Sequence, residues 1–371
     1  MRVIVVGAGV IGASVAFRLA QGGASVLVLE RNRVGGGTSG SSFAWTNANN
    51  KPPRPYHDLN VAGMRAHAAL RDELGAAPWW HGGGSIEWES ADDQPAQAEK
   101  VARLQAWGYA AQWITLDELN ELEPDIDRAA VGNAPIAYYP DEGWLDPVPY
   151  AHAMITQARA HGATLLTSVA VARLVTRGGR VTGVRTQDGT THEADAVVNC
   201  AGRWASELAD ADNAPRLPLA PTAGFLVLTP PVATSLRRVL RTPLCDLRPD
   251  GAGRLMLIRE ATGSAASSFE NAFDNPGPAS EAARDLAARA ARLLPGIGPV
   301  QPEATRVGIR PIPRDGFSAI GPMPGAAGYY VAVTHSGVTL SPFIGAALAE
   351  EILTGRARPE LAPFRPGRLF N

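Results

Sequence analysis

The sequence has few of the residues that indicate a disulfide-stabilised or metal-binding protein. Its 371 residues include two cysteines, Cys200 and Cys245, and contain neither a CxxC nor an HExxH motif. These absences exclude a disulfide framework and argue against the common metal sites. We therefore expect no metal, and we expect each cysteine to be a buried, unreactive thiol.

Net charge and long apolar runs are also scarce. The formal net charge is -2 at pH 7, so no strongly basic surface is expected for nucleic acid or an anionic membrane. No run reaches the roughly 18 apolar residues of a membrane span, and the chain opens on a strand pattern rather than a signal peptide. We expect a cytoplasmic protein, with 45% hydrophobic residues, that is long enough for two domains with large cores.

A glycine-rich turn lies between two apolar segments close to the first residue. The strand-like run of residues 3–6 is followed by a GxGxxG motif and then by helix-forming residues: Gly7, Gly9, Val10, Ile11 and Gly12 make up the motif. This spacing permits a tight turn, a close approach of a pyrophosphate to the backbone and close packing of helix on strand. The N-terminus of the helix would face the phosphates. The motif predicts dinucleotide binding, and a purely structural βαβ unit is the alternative.

An acidic residue and a second glycine-rich segment follow. Glu30 lies 23 positions after Gly7, where a carboxylate can accept hydrogen bonds from the hydroxyls of a ribose. A nicotinamide-binding domain would normally continue into a helix, but residues 35–42 are small, flexible or hydroxyl-bearing. Such a loop can wrap a pyrophosphate, with the hydroxyls of Thr38 and Ser39 as donors. A flexible surface linker is the alternative.

The pair Glu30 and Arg31, followed by this Thr-Ser-containing loop, resembles the FAD-dependent amine and amino-acid oxidoreductases related to D-amino acid oxidase, glycine oxidase and monomeric sarcosine oxidase. The resemblance implies FAD as cofactor. It also implies an α/β fold, with a Rossmann-type FAD-binding domain and a second antiparallel-sheet (α+β) substrate domain. The expected FAD-binding domain is discontinuous, comprising residues 1–80, 139–215 and 301–371, and the substrate domain comprises residues 81–138 and 216–300.

Further FAD contacts are implied by the family pattern. The backbone of Val171 would touch the adenine, and the turn at Gly202 would abut the cofactor. The amphipathic helix that ends the stretch from Tyr329 to Gly355 would point its positive N-terminal end at the flavin and stabilise the anion formed on reduction. The other residues expected beside FAD are Ala44, Trp45, Arg310, Ser336, Gly337, Val338 and Thr339.

The final third of the chain supplies the main candidates for chemistry. Arg310 lies in a Gly-x-Arg-Pro stretch whose arginine binds the substrate carboxylate in glycine and D-amino acid oxidases. A planar guanidinium suits this role, because it donates two parallel hydrogen bonds to a carboxylate. His335 belongs to the expected flavin loop. A salt-bridged structural arginine and an ordinary loop histidine are the alternatives.

Two further candidates are less certain in role. Asp246 is on a strand of the expected substrate-domain sheet, at a position where glycine oxidase has a tyrosine. It would pair with a cationic substrate group or with Arg310. A solvent-facing aspartate is the alternative. His57 is in the proline-rich segment from Ala44 to Asn60, which either lines the active site or is a stiff surface loop.

Departures from the family pattern bear on the cofactor and the electron acceptor. No cysteine lies near Gly308, where monomeric sarcosine oxidases carry a covalently attached flavin, so FAD is expected to be bound non-covalently. These relatives also use a lysine near the flavin to activate oxygen. The only lysines here are Lys51 and Lys100. Neither lies in the segment of the substrate-domain sheet where the family has this lysine, and Met256 is the approximate match to that position. The electron acceptor is therefore either oxygen or another oxidant.

Together these features predict oxidation of the C–N bond of an amino acid or N-substituted amino acid. A hydride would pass to flavin N5, and water would hydrolyse the resulting imine. The expected partners are a small-molecule amino-acid or amine substrate and an electron acceptor, and a homo-oligomer is compatible with the sequence. Three alternatives stay open: an FAD-dependent 2-hydroxy-acid dehydrogenase that uses His335 or His57 as base, an NAD-dependent enzyme, and a flavin-binding subunit of a larger complex.

Overall fold

The structure, a computed structural model, describes residues 1–208, 215–258, 275 and 277–370. The helices in these residues are α1 (Val10–Gln21), α2 (Arg54–Leu74), α3 (Gln94–Ala106), α4 (Leu116–Leu122), α5 (Arg128–Val131), α6 (Pro147–Ala160), α7 (Glu281–Leu293) and α8 (Gly337–Thr354). The strands up to residue 200 are β1 (Arg2–Val6), β2 (Ser25–Leu29), β3 (Trp45–Thr46), β4 (Trp80–His81), β5 (Ser85–Glu87), β6 (Gln112–Ile114), β7 (Ile136–Tyr139), β8 (Gly143–Leu145), β9 (Thr164–Leu166), β10 (Val171–Arg177), β11 (Arg180–Thr186), β12 (Thr191–Glu193) and β13 (Ala196–Asn199). The remaining strands are β14 (Thr222–Leu228), β15 (Val239–Arg241), β16 (Asp246–Asp250), β17 (Arg254–Ile258), β18 (Ala304–Arg310), β19 (Ala319–Pro322) and β20 (Tyr329–Val333).

The first sheet has six strands in the order β19-β20-β13-β1-β2-β9. All neighbours are parallel except β19 and β20. Successive side chains of a strand point to opposite faces: Val3 and Val5 belong to the core formed with α1, α6 and α8, whereas Ile4 and Val6 belong to the core formed with β10 and β11. Both faces are covered, which explains why β1 is a continuous apolar run.

The turn from β1 into α1 depends on glycine. Gly7 has a φ of +100°, a backbone conformation that side-chain-bearing residues rarely adopt. A Cβ at Gly12 would lie 2.0 Å from the carbonyl oxygen of Gly7. The glycine motif therefore lets the first turn of α1 pack directly on the end of β1, as the sequence predicts.

The second large sheet has eight strands in the order β18-β14-β17-β16-β15-β5-β7-β6. Its pairs are antiparallel except β15 with β5. One face packs on the apolar side of α7, with Phe225 and Leu257 against Leu286 and Leu293. On the opposite face, Leu226 lines an open cavity. This face is called the roof below.

Several boundaries differ from the sequence-based expectation. The segment from Ala44 to Asn60 is only partly a loop, because α2 begins at Arg54 with a proline in its first turn. Within the charged segment of residues 91–108, helix α3 runs only from Gln94 to Ala106. The last helix, α8, is buried on most of its surface rather than amphipathic. The two-domain division stays a prediction, although β18 pairs in the roof sheet and not with the segments grouped with it.

The described residues contain neither a membrane-spanning helix nor a cluster of metal-binding side chains. None of the described helices is long and apolar enough to cross a membrane. In the same part of the chain, no group of three or more His, Cys, Asp or Glu side chains is arranged to hold a metal ion.

The glycine turn gives a prediction about stability. Replacing Gly12 by Ala should lower the free energy of unfolding by about 1–3 kcal/mol, since the new methyl group would overlap the Gly7 carbonyl and force a backbone shift. This loss opposes the gain of about 1 kcal/mol that Ala normally brings inside a helix. Urea unfolding measures both variants of a matched pair: Gly296→Ala, where an added Cβ meets no atom within 4 Å, should be nearly neutral. Equal stability of the two variants would contradict the packing argument.

Candidate active site

A long cavity opens above the glycine turn, at the carboxyl ends of the parallel strands. It is called the turn cavity here. Thirteen of the residues predicted from the sequence line it: Gly7, Gly9, Val10, Ile11, Glu30, Arg31, Thr38, Ser39, Val171, Gly202, His335, Gly337 and Val338. Binding at the carboxyl ends of parallel strands is the general rule for open α/β sheets.

A second cavity, called the roof cavity, lies under the large sheet. The predicted residues in its lining are Thr38, Ala44, Trp45, Asp246, Arg310, His335, Ser336, Val338 and Thr339. The two cavities share Thr38, Ser42, Pro311, His335 and Val338. A ligand filling the turn cavity would therefore reach the roof cavity at His335.

The loop after Glu30 braces the turn cavity through hydrogen bonds of its own. Both oxygens of Glu30 accept backbone N–H groups, from Ala8 at 2.8 Å and from Asn32 at 2.8 Å. Ser39 Oγ accepts the N–H of Val10 at 3.1 Å. Thr38 Oγ1 donates to the carbonyl of Ile309 at 2.6 Å, so its proton serves the roof strand rather than a phosphate.

These features fit the dinucleotide expected from the sequence. The first N–H groups of α1 have no acceptor within the helix. Among them, the N–H of Val10 donates to Ser39 Oγ outside the helix. Glycine at position 9 keeps the space beside these N–H groups open. A Cβ there would lie 3.0 Å from Ser39 Oγ and would crowd it. FAD would be held by Gly9, Ile11 and Ser39 at its pyrophosphate and by Val171 and Gly202 near its adenine end.

The N-terminus of α8 is held at the junction of the two cavities by neutral hydrogen bonds. Ser336 Oγ bonds to Tyr56 OH at 2.8 Å. The Nε2–H of His67 donates to the carbonyl of Val338 at 2.9 Å, and burial lowers the pKa of His67 to about 4, which keeps this imidazole neutral. The N–H of Asn47 donates to Thr339 Oγ1 at 3.3 Å.

Arg310 ends strand β18 and lies in the lining of the roof cavity. Its guanidinium lies over Gly224 of the neighbouring strand, since a Cβ there would be 3.3 Å from Nη2. Among the residues that the structure describes, the Arg310 side chain has no hydrogen bond or ion pair. The sequence-based alternative of a salt-bridged structural arginine therefore finds no partner in this part of the chain.

His335 lines both cavities, and its side chain is exposed to them. Desolvation by the neighbouring protein lowers the pKa of His335 to about 3, and the charges of Lys51 and Arg310 contribute to this shift. The imidazole is therefore neutral at pH 7. It can donate or accept a hydrogen bond, but it adds no positive charge to the cavity.

The other predicted catalytic residues lie in different surroundings. Asp246 begins β16 in the roof cavity lining, and the register that pairs Leu240 with Leu247 sets it beside Arg241. His57 does not line either cavity: it is buried, its Nδ1–H donates to Ala48 at 2.8 Å, and it packs against Trp107 and Tyr109. This environment favours a structural role for His57, whose pKa burial lowers.

Further lining residues come from the segment that the sequence suggested as a lining of the active site, and Arg241 is one that the sequence did not single out. Asn47, Asn50, Lys51 and Tyr56 come from the segment before α2 and its first turn, and Arg241 comes from the short strand β15. Lys51 thus lies in the cavity wall even though no lysine occurs in the roof-sheet segment. Met256, by contrast, is 2% exposed inside the sheet. Only the proline-rich composition of residues 44–60 pointed to this wall.

Neither Cys200 nor Cys245 forms a disulfide, and both are buried. Burial raises the pKa of Cys200 well above its usual value, although this residue touches the turn cavity. Cys245 is 1% exposed in the roof sheet. Both are as inert as the sequence suggests.

Known proteins are similar to this chain over almost its whole length. A family model described as FAD dependent oxidoreductase matches residues 2–351. Glycine oxidase of Geobacillus kaustophilus is 28% identical over 98% of this chain and 95% of its own length. Hydrogen cyanide synthase subunit HcnC of Pseudomonas aeruginosa is 24% identical over 99% of this chain and 95% of its own length.

Among solved structures, glycine oxidase from Geobacillus kaustophilus superposes with a TM-score of 0.82 at 27% identity, covering 98% of both chains. This likeness confirms the expected Rossmann-type fold, and the family match confirms FAD as the cofactor. The chain belongs to the DAO family of FAD-dependent oxidoreductases.

Proposed function

We propose that this oxidoreductase oxidises the C–N bond of an amino acid or N-substituted amino acid. The observation that carries the proposal is the Arg310 guanidinium, which lines the roof cavity beside His335 without a partner among the described residues. A planar guanidinium in such a position suits a bidentate carboxylate. The similarity to glycine oxidase supports an amino-acid substrate.

The charges in the cavity favour an acid over a simple amine. The described lining includes the cations Lys51, Arg241 and Arg310 and a single anion, Asp246. Neutral His335 keeps further positive charge away from the substrate nitrogen, which must lose its proton before the C–H bond is oxidised. Arg310 would hold the substrate in one orientation, which lowers the entropic part of the barrier.

FAD, when bound, accepts the hydride that leaves the carbon next to the substrate nitrogen. The protein then needs no covalent nucleophile, because water hydrolyses the imine product. Binding, orientation and exclusion of bulk water are the tasks left to Arg310, His335 and the cavity wall. The electron acceptor is oxygen or another oxidant.

A panel of substrates tests the proposal. The FAD-loaded protein is mixed anaerobically with D- and L-amino acids, N-methyl amino acids and 2-hydroxy acids, and loss of the flavin absorption is followed. Bleaching by an amino acid is expected. Bleaching by hydroxy acids alone would contradict the proposal, and FAD that no compound reduces would favour a binding subunit, a role compatible with the similarity to the subunit HcnC.

Arg310→Ala should weaken binding or transition-state stabilisation by about 2 to 5 kcal/mol for the acid substrate, because the carboxylate loses the two hydrogen bonds and the charge of the guanidinium. Arg310→Lys should recover only part of the loss, since an ammonium cannot donate in the planar geometry. The measurement is the preference of each variant for an amino acid over the corresponding decarboxylated amine. The wild type should strongly prefer the acid, and Arg310→Ala should nearly abolish the preference.

The matched control for this variant is Arg306→Ala. Arg306 lies on the same strand but is exposed, with Nη1 donating to the carbonyl of Gly40 at 3.2 Å. Its removal should leave the preference unchanged. Full discrimination by Arg310→Ala would mean that Arg310 is structural.

All of the flavin should be released as FAD when the protein is precipitated with acid or heat. No side chain fits at position 308, where a Cβ would lie 2.1 Å from the carbonyl oxygen of Ser41, and both cysteines are buried elsewhere. Absorption of the supernatant and the pellet measures the partition. Yellow colour that stays with the polypeptide would refute non-covalent binding.

His335→Gln should keep kcat with the best amino acid within about tenfold, because an amide can replace a neutral imidazole as a hydrogen-bonding group. The rate should also show no ionisation of His335 between pH 5 and 8, since the pKa of this imidazole lies near 3. A loss of roughly 100- to 10,000-fold would instead indicate a general base, as oxidation of a 2-hydroxy acid requires. Rapid-reaction measurement of FAD reduction distinguishes the two.

A further inference from the structure

A buried carboxylate lies directly behind one wall of the roof cavity. This wall segment comprises residues 44–51, of which Ala44, Trp45, Asn47, Asn50 and Lys51 line the cavity. Glu142 is in the turn between β7 and β8, is 1% exposed and lines neither cavity. It therefore touches the wall only from the side away from the substrate.

Glu142 collects an unusual number of hydrogen bonds. Its Oε1 accepts the Ala48 and Asn49 N–H groups at 3.3 Å and 3.2 Å and the Tyr109 hydroxyl at 2.6 Å. Its Oε2 accepts Trp45 Nε1 at 3.1 Å, Asn49 Nδ2 at 3.3 Å and the Ser85 hydroxyl at 2.6 Å. No cation of the described residues donates to it. Four of the six donors belong to the wall segment, so Glu142 holds this segment through several hydrogen bonds at once.

We propose that Glu142 is a positioning residue that, as a carboxylate, fixes the wall segment and thereby the substrate-binding shape of the roof cavity. The backbone N–H groups of Ala48 and Asn49 and the indole of Trp45 cannot reverse their direction. They require two accepting oxygens, which only the ionised form offers in full. The wall then places Lys51 where its charge acts on His335, as Arg310 does from the roof. The inference rests on the proposed carboxylate-binding function of that cavity.

Ionisation of Glu142 couples the wall to pH. Burial raises the pKa of Glu142 to about 7, and the hydrogen bonds from Ser85, Tyr109 and the wall oppose this shift. Protonation below pH 7 takes one lone pair away from the wall donors. Substrate affinity should therefore fall as the pH drops through about 7, whereas the folded state itself is not penalised, because a carboxyl with a raised pKa is easier to bury when neutral.

The protein displaces the pKa values of Tyr109, His57 and His335 away from this range. Burial raises the pKa of Tyr109 well above its usual value, and Asp141 adds to that shift. Burial also lowers the pKa of His57, which packs on Tyr109. On the adjoining strand, Glu87 is paired with Lys100. In the cavity, the pKa of His335 is near 3.

The test uses the FAD-loaded full chain and acetate, a carboxylate that cannot be oxidised, with binding read from the change in FAD absorption. Glu142→Gln should weaken acetate binding roughly tenfold at pH 8 and abolish its dependence on pH near 7. It should retain its FAD, since the turn cavity is built by other residues. For the best amino acid, KM should rise more than kcat falls.

The sign of the change separates positioning from simple electrostatics. Removing a negative charge behind an anion site would by itself tighten acetate binding, so tighter or unchanged binding by Glu142→Gln would overturn the inference alone. Acetate that does not bind even to the wild type would overturn the proposed function together with the inference. Glu87→Gln, a buried carboxylate of the same sheet that does not contact the wall, is the matched control and should leave acetate binding unchanged.

A milder variant covers the case in which Glu142→Gln fails to fold. Tyr109→Phe removes one donor to Oε1 but leaves the carboxylate in place. Because that hydrogen bond lowers the pKa of Glu142, its loss should shift the midpoint of the acetate-binding profile to higher pH. A midpoint that stays in place, or moves to lower pH, would contradict the assignment of the titration to Glu142.

Discussion

The close approach of one loop to one strand joins the two halves of the active site. The carbonyl of Ser41 lies so near Gly308 that a Cβ would come within 2.1 Å of it, and Thr38 donates to the next carbonyl of the strand, that of Ile309, at 2.6 Å. Residues two apart on a strand share a face, so Arg310 projects from the same side as Gly308. The contact that closes the FAD loop thus also places the guanidinium in the lining of the roof cavity.

Charge and hydrogen bonding are divided between the two sides of the cavity walls. The groups that hold the walls bring no positive charge: His67 donates to the Val338 carbonyl in the first turn of α8, with its pKa lowered by burial, and Glu142 accepts hydrogen bonds from uncharged donors. The groups that face the cavity include Lys51, Arg241 and Arg310. These cations favour an anion in the roof cavity.

The parts of the site that are local in sequence could be predicted from it. The glycine motif and Glu30 can be recognised because a strand, a turn and a helix are consecutive there. The resemblance to a family added Arg310 and the loop before α8. The roof cavity wall could not be found in this way, because it unites segments from before α2 and from β15 and is held from behind by the turn at Glu142. The sequence around Glu142 indicates only a turn, and nothing in it reveals six donors from other elements.

One boundary could have been found from the residues alone. Prolines suit the first turn of a helix, where the missing N–H costs no hydrogen bond, and Pro53 and Pro55 flank the start of α2. The expectation that this segment lines the active site placed His57 near the substrate, whereas the helix turns it toward Trp107. The same helix brings Tyr56, one residue earlier, to Ser336 and the cavity.

The central claim is that Arg310, whose side chain has no partner among the described residues, binds the carboxylate of the substrate beside FAD. A crystal structure of the FAD-loaded protein with bound acetate tests this most directly. The account predicts both acetate oxygens on the Arg310 guanidinium at roughly 2.7–2.9 Å, the range of charge-assisted hydrogen bonds, with His335 close by. Acetate bound elsewhere, with Arg310 paired to a protein carboxylate, would contradict it.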